Sequence, residues 1–158
     1  MLLAASYAGV GFGNAGVHLP HGMSYPVSGH VKTYRAPGYT ADHPLVPHGI
    51  SVILNAPAVF RFTASANPER HLEAAAALGA NTTGVKPADA GRVLADRITW
   101  FMQALKVPNG LKAVGYSTSD IPVLIEGTLP QHRVTKLSPR PAGPDDLARL
   151  FEDALTAY

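Results

Sequence analysis

The sequence predicts an all-α fold, an irregular bundle of about six helices, and three observations carry that expectation. Apolar residues recur at i, i+3, i+4 and i+7 in several segments. Helix start and stop signals flank those segments. Alternating strand patterns are scarce, and no βαβ unit or internal repeat is found. A chain of 158 residues is long enough to close one hydrophobic core, so residues 1–158 read as a single helical domain.

The elements follow in order. The first 17 residues are almost wholly apolar or small, and no Lys, Arg, Asp or Glu precedes Lys32. A secretory signal would open with a basic stretch. A membrane span would need about 20 strongly apolar residues, and Gly9, Gly11, Gly13, Asn14 and Gly16 dilute this run. The expectation is a helix buried on nearly all sides, an odd way to open a chain, which suggests that something upstream is absent. Residues 28–47 hold Pro37, Pro44 and Pro47 and read as a loop. Over residues 48–65, Ile50, Ile53, Leu54, Val59 and Phe60 indicate a helix with Pro57 as a kink.

Asn67-Pro68-Glu69-Arg70 then supplies an N-cap, a proline at the first helical position and an acid in the first turn. Gly79 is the matching stop. Across residues 87–105, Ala90, Val93, Leu94, Ile98, Phe101 and Leu105 keep helical spacing, and Pro108-Asn109-Gly110 marks a turn. Residues 117–126 read as a short helix capped by Ser117, with Asp120 three residues on and Gly127 as its end. A second loop covers residues 130–143. Pro144-Asp145-Asp146 places acids at the positive end of a last helix, whose stripe is Leu147, Leu150, Phe151, Ala154 and Leu155.

Composition excludes several functions. The charged fraction is 15%, well below the usual ~25% of a globular chain, so part of the surface is expected to be covered. Net charge is only +2 and no basic stripe with interleaved aromatics occurs, so neither nucleic acid nor membrane is an expected partner. Zero cysteines rule out disulfides, thiolate metal sites and cysteine nucleophiles. They suit a reducing compartment: the cytoplasm, or the mitochondrial matrix in a eukaryote. No Gly-x-Ser-x-Gly elbow, carboxylate pair or phosphate-binding loop is present.

Gly11-Phe12-Gly13-Asn14-Ala15-Gly16 matches the dinucleotide fingerprint in letters. The chemistry of that motif needs a preceding strand and an acid about 20 residues on, and no acid appears before Asp42. Glycines that thin a helix for close packing are the better reading. The histidines carry more. His18, His21 and His30 precede the proline-rich loop and His43 and His48 close it. Imidazole is a preferred ligand of zinc and non-haem iron, and the glycines after His21 and His48 leave room beside such a metal. A hydrogen-bonded core or surface role is the ordinary alternative for any one of them.

At these residues the sequence resembles a known family. His21-Gly22-Met23-Ser24-Tyr25-Pro26 and Val46-Pro47-His48-Gly49 are similar to the metal-binding segments of the iron-dependent (group III) alcohol dehydrogenases. Residues 8–16 are similar to the start of that family's C-terminal helical domain. Gly16-Val17-His18-Leu19-Pro20, Asp42-His43-Pro44-Leu45, Pro68-Glu69-Arg70-His71-Leu72-Glu73, Gly127-Thr128-Leu129-Pro130-Gln131 and Arg133-Val134-Thr135-Lys136-Leu137 are most similar to its hydroxyacid–oxoacid transhydrogenase branch. The resemblance covers essentially all 158 residues.

The resemblance implies a C-terminal domain of a two-domain enzyme with its active site in the cleft. It implies Fe(II) or Zn(II) held by one Asp and three His, of which His21 and His48 would be the last two. The others, with the NAD-binding elements, would lie upstream, and the domain is expected to self-associate or to pair with that nucleotide-binding domain. Phe12 matches an aromatic pocket position, and Tyr25 stands where many members carry a further histidine. The implied reaction is hydride transfer from a small hydroxy acid such as 4-hydroxybutyrate, or an alcohol, to 2-oxoglutarate through bound NAD. The isolated chain is expected to be inactive. Lys32, Arg35 and Arg133 are candidate partners for a substrate carboxylate by charge alone. A non-catalytic helical remnant that binds a partner or a metal remains the alternative.

Overall fold

Helices account for all the regular structure in the computed structural model, which describes residues 1–158. The α-helices are α1 (Leu2–Ala15), α2 (Leu19–Gly29), α3 (His48–Thr63), α4 (Pro68–Ala77), α5 (Ala90–Ala104), α6 (Ile121–Thr128), α7 (His132–Thr135) and α8 (Pro144–Ala154). Short 3-10 turns at Ala64–Ala66, Pro87–Asp89, Leu111–Val114 and Thr118–Asp120 join or extend them. The all-α expectation holds, with eight helices instead of about six. The chain breaks at Gly16, at φ 77°, so α2 follows α1 as a separate helix. The second expected loop contains the single turn α7.

Local chemistry sets most boundaries where the sequence places them. The Asn67 side chain accepts from the Arg70 amide at 3.2 Å, and Gly79 takes φ 86° just past α4. Asp120 accepts from the Ser117 amide at 2.9 Å, and Asp146 accepts from the Gly143 amide at 3.1 Å. Gly127 does not end α6, which runs on to Thr128. Its role is packing: a Cβ there would lie 2.6 Å from Cβ of Pro26 on α2.

The core centres on α3, which packs against α2, α5 and α8. Leu54, Ala58 and Val59 of α3 meet Met23 and Val27 of α2, Leu94, Ile98 and Met102 of α5, and Leu150 and Phe151 of α8 in one buried cluster. Each large apolar side chain so buried contributes about 1.5–3 kcal/mol. His48–Ala66 is long and apolar enough to cross a bilayer by length and composition, and here it is the central helix with half its residues buried. Tyr116 ties the end of α2 to this core, donating from its hydroxyl to the Val27 carbonyl at 2.6 Å. Burial, helped by Asp120, pushes that phenol up to about 12.

The first helix departs from expectation. α1 forms, but none of its residues is buried, and Leu3, Tyr7 and Val10 are 67%, 69% and 64% exposed. No other helix packs along it. Gly9, Gly11 and Gly13 face open space, so they do not serve close packing within this chain. Only its C-terminal end engages the bundle, where Gly16 meets Leu137.

Candidate metal centre

His21 is the third residue of α2 and His48 the first of α3, so their meeting depends on how the intervening loop returns. The Leu45 amide donates to the Tyr34 carbonyl at 2.8 Å, and Arg35 donates to the carbonyls of Ala41 and Asp42, which closes the excursion. Val46 is buried as the chain re-enters the core. Hydrogen bonds then fix the junction. Ser28 of α2 donates to Ser51 of α3 at 2.9 Å, Ser51 donates to the His48 carbonyl at 2.8 Å, and Ser24 donates to the His21 carbonyl at 2.7 Å.

The imidazoles of His21 and His48 converge, with ring centroids 5.3 Å apart and planes at 61°. Tyr25, one helical turn after His21, stacks on His48 at 6.4 Å and 21°. Partial burial, reinforced by His48, lowers the proton affinity of His21. That favours the neutral ring, which is the form with a free nitrogen lone pair. A pair of imidazoles suits borderline metals such as zinc and iron(II). No group of three or more His, Cys, Asp or Glu in the chain is placed to share one ion, so the chain itself offers an ion at this point no more than these two imidazoles.

The other five histidines lie outside this pair, and His132 is exposed at the start of α7. His43 is exposed and pairs with Asp42 at 2.8 Å, and His30 caps the end of α2. His71 is bonded at both ring nitrogens, Nδ1 to the Asn67 carbonyl at 2.7 Å and Nε2 to the Thr63 hydroxyl at 2.9 Å. His18 packs edge-on to Phe60 at 6.1 Å, and its Nδ1 is buried without a hydrogen-bond partner. Burial, then His71 and His21, lowers its proton affinity.

The histidine pair opens onto a cavity of about 430 Å³, within the range of small-ligand sites. Phe12 at the end of α1, Tyr25, His21 and His48 all line it, with Val17, Val134 and Leu137 as an apolar wall. The sequence picks out the first four; nothing in its pattern marks the wall. Arg133 lines it too. Of the three cations singled out by charge, Lys32 instead pairs with Asp120 at 2.7 Å and Arg35 is spent on its own loop. Gly22 does not make room beside the imidazoles: its missing Cβ would fall 2.6 Å from Cγ2 of Thr135, so it seats α7 on α2. The Gly11–Gly16 fingerprint lies in and just after a helix, without the strand that the nucleotide motif requires.

Comparison with known proteins places this architecture. The family model described as "Fe-containing alcohol dehydrogenase family, C-terminal" matches residues 1–155. The mitochondrial hydroxyacid-oxoacid transhydrogenase of Xenopus tropicalis is 63% identical over all 158 residues, and that of Homo sapiens 61%. The chain spans 34% of the length of each. Among solved structures, 1,3-propanediol oxidoreductase aligns over 85% of this chain and 32% of its own at 25% identity and TM-score 0.71. The fold also matches the alcohol dehydrogenase from Oenococcus oeni, with TM-score 0.79 over 93% of this chain and 35% of that one, at 24% identity. The chain therefore belongs to the Fe-containing alcohol dehydrogenase family and corresponds to its C-terminal, helical part.

Proposed function

We propose that this chain is the metal-binding part of a hydroxyacid–oxoacid transhydrogenase, with His21 and His48 as two protein ligands of Fe(II) or Zn(II). The carrying observation is the convergence of two imidazoles from separate helices, 5.3 Å apart, on one cavity. The 60–63% identity to named transhydrogenases supports the reaction: hydride passes from a hydroxy acid such as 4-hydroxybutyrate to 2-oxoglutarate through bound NAD. The relatives are named as mitochondrial, which supports a mitochondrial location in a eukaryote, and the matrix is the compartment of this reading. Residues 1–158 act as one domain in this reading.

When bound, the metal supplies Lewis-acid polarisation of the substrate oxygen. The chain's own residues set the conditions. His21 stays neutral near pH 7, because burial and His48 both disfavour its proton. Tyr25 stacks on His48 and restricts the ring. Phe12, Val17, Val134 and Leu137 present an apolar wall beside the two imidazoles. Because two imidazoles fall short of the three protein ligands usual in a catalytic site, the chain alone carries out no turnover.

Titration of the purified chain with cobalt(II), followed by its ligand-field absorption, tests the ligand assignment. Binding is expected, with a loss in His21→Ala and again in His48→Ala of at least the ~10- to 100-fold that even changes to outer-shell partners of a metal ligand cost. Unchanged binding in both variants overturns the metal assignment and leaves a non-catalytic helical module. Turnover of 4-hydroxybutyrate with 2-oxoglutarate by the chain alone overturns the prediction of inactivity.

A further inference from the structure

We infer that Arg133 holds the carboxylate of the acid substrate, which makes it the residue that selects hydroxy acids over neutral alcohols. The inference rests on the cavity beside His21 and His48 being the substrate site, as proposed above. Arg133 is the one permanently charged side chain on that cavity. It has no ion-pair or hydrogen-bond partner in the chain, whereas Lys32 and Arg35 are engaged elsewhere. A guanidinium on an otherwise apolar and imidazole-lined wall offers a planar fork to a carboxylate, the geometry in which Arg surpasses Lys.

The segment carrying Arg133 is fixed relative to the histidines. Its neighbour Val134 is buried, and Thr135 bonds the Gln131 carbonyl at 3.1 Å. The missing side chain of Gly22, the residue after His21, lets Thr135 approach the helix that carries that imidazole. On the other side Leu137 reaches Gly16, where the positive φ already demands glycine. Two glycines thus clamp the turn bearing Arg133 between the end of α1 and the start of α2. A ligand with a carboxylate at one end and a hydroxyl or carbonyl at the other is the chemistry that both walls can recognise together.

Protein-observed NMR titration of the chain compares 4-hydroxybutyrate with 1,4-butanediol, its uncharged counterpart. The wild-type chain is expected to bind the acid more tightly than the diol. Arg133→Gln is expected to weaken the acid about 10- to 100-fold, the usual cost of a lost charge-assisted hydrogen bond, and to leave the diol unchanged. Arg133→Lys should fall between. Arg133 is exposed, so both variants should fold, which their thermal melting checks. Equal binding of acid and diol by the wild type, or full acid binding by Arg133→Gln, overturns the inference. The cobalt titration separates this outcome from the metal assignment, because Arg133→Gln leaves both imidazoles in place.

Discussion

His18 and His21 couple the stability of the fold to proton concentration in one direction. In the unfolded chain both rings take up a proton near 6.5; in the folded chain burial lowers that value, with His71 and His21 facing His18, and His48 facing His21. Below 6.5 the unfolded chain therefore holds more protons than the native one. Stability is complete above 6.5 and is lost as pH falls through 6.5 toward the lowered native values. Asp42, Asp120 and Asp146 are held below the ordinary carboxylate range by His43, Lys32 and the Gly143 amide respectively, so their losses come only at more acid pH. The melting temperature should fall between about pH 7.5 and about pH 5.5, and His18→Gln should flatten that slope. Identical slopes in wild type and variant would mean that the buried ring is not the sensor.

At the scale of elements, a glycine at a helix crossing differs from one on the free helix. A Cβ at Gly91 of α5 would lie 2.8 Å from Cβ of Ala64 and 2.9 Å from Cα of Arg61, so it would force backbone apart where α5 crosses the end of α3. Gly91→Ala should destabilise the fold by about 1–3 kcal/mol through overpacking, exceeding the ~1 kcal/mol gained in helix propensity. Gly9→Ala in α1 meets nothing within 4 Å, so only the propensity gain remains and helicity by circular dichroism should rise. Urea denaturation that ranks the two substitutions the other way would refute the crossing as a close contact. Capping chemistry explains why α4 and α8 are legible in the sequence: Asn67, Asp146 and Gly79 act within a few residues. α7 is not legible, because a four-residue turn has too short a stripe to show a period, and its place is decided by Gly22 on a distant helix. The pair His21 and His48 is intermediate. Their residue type is visible, but their convergence depends on the Ser28–Ser51 bond between α2 and α3, and on Ser51 holding the His48 carbonyl, which no spacing announces.

For the molecule as a whole, α1 is where the sequence's expectation of burial and the bundle's actual packing part company. Its composition asks for an apolar surround, yet the remaining residues spend their apolar faces on the core around α3. Leu3, Tyr7 and Val10, spaced at i, i+4 and i+7, form a continuous exposed stripe on a helix without a single charged side chain. Contiguous apolar surface of this kind drives association in water, and no charge on α1 opposes it. The purified chain is therefore expected to self-associate in a concentration-dependent way, seen by light scattering. Tyr7→Glu combined with Val10→Glu should shift it toward monomer, because burying two carboxylates in such a contact costs more than the contact returns. The thermal transition should barely move, since neither residue touches the core. A wild-type chain that stays monodisperse at millimolar concentration would show that the stripe is covered by something other than a second copy, or is tolerated bare.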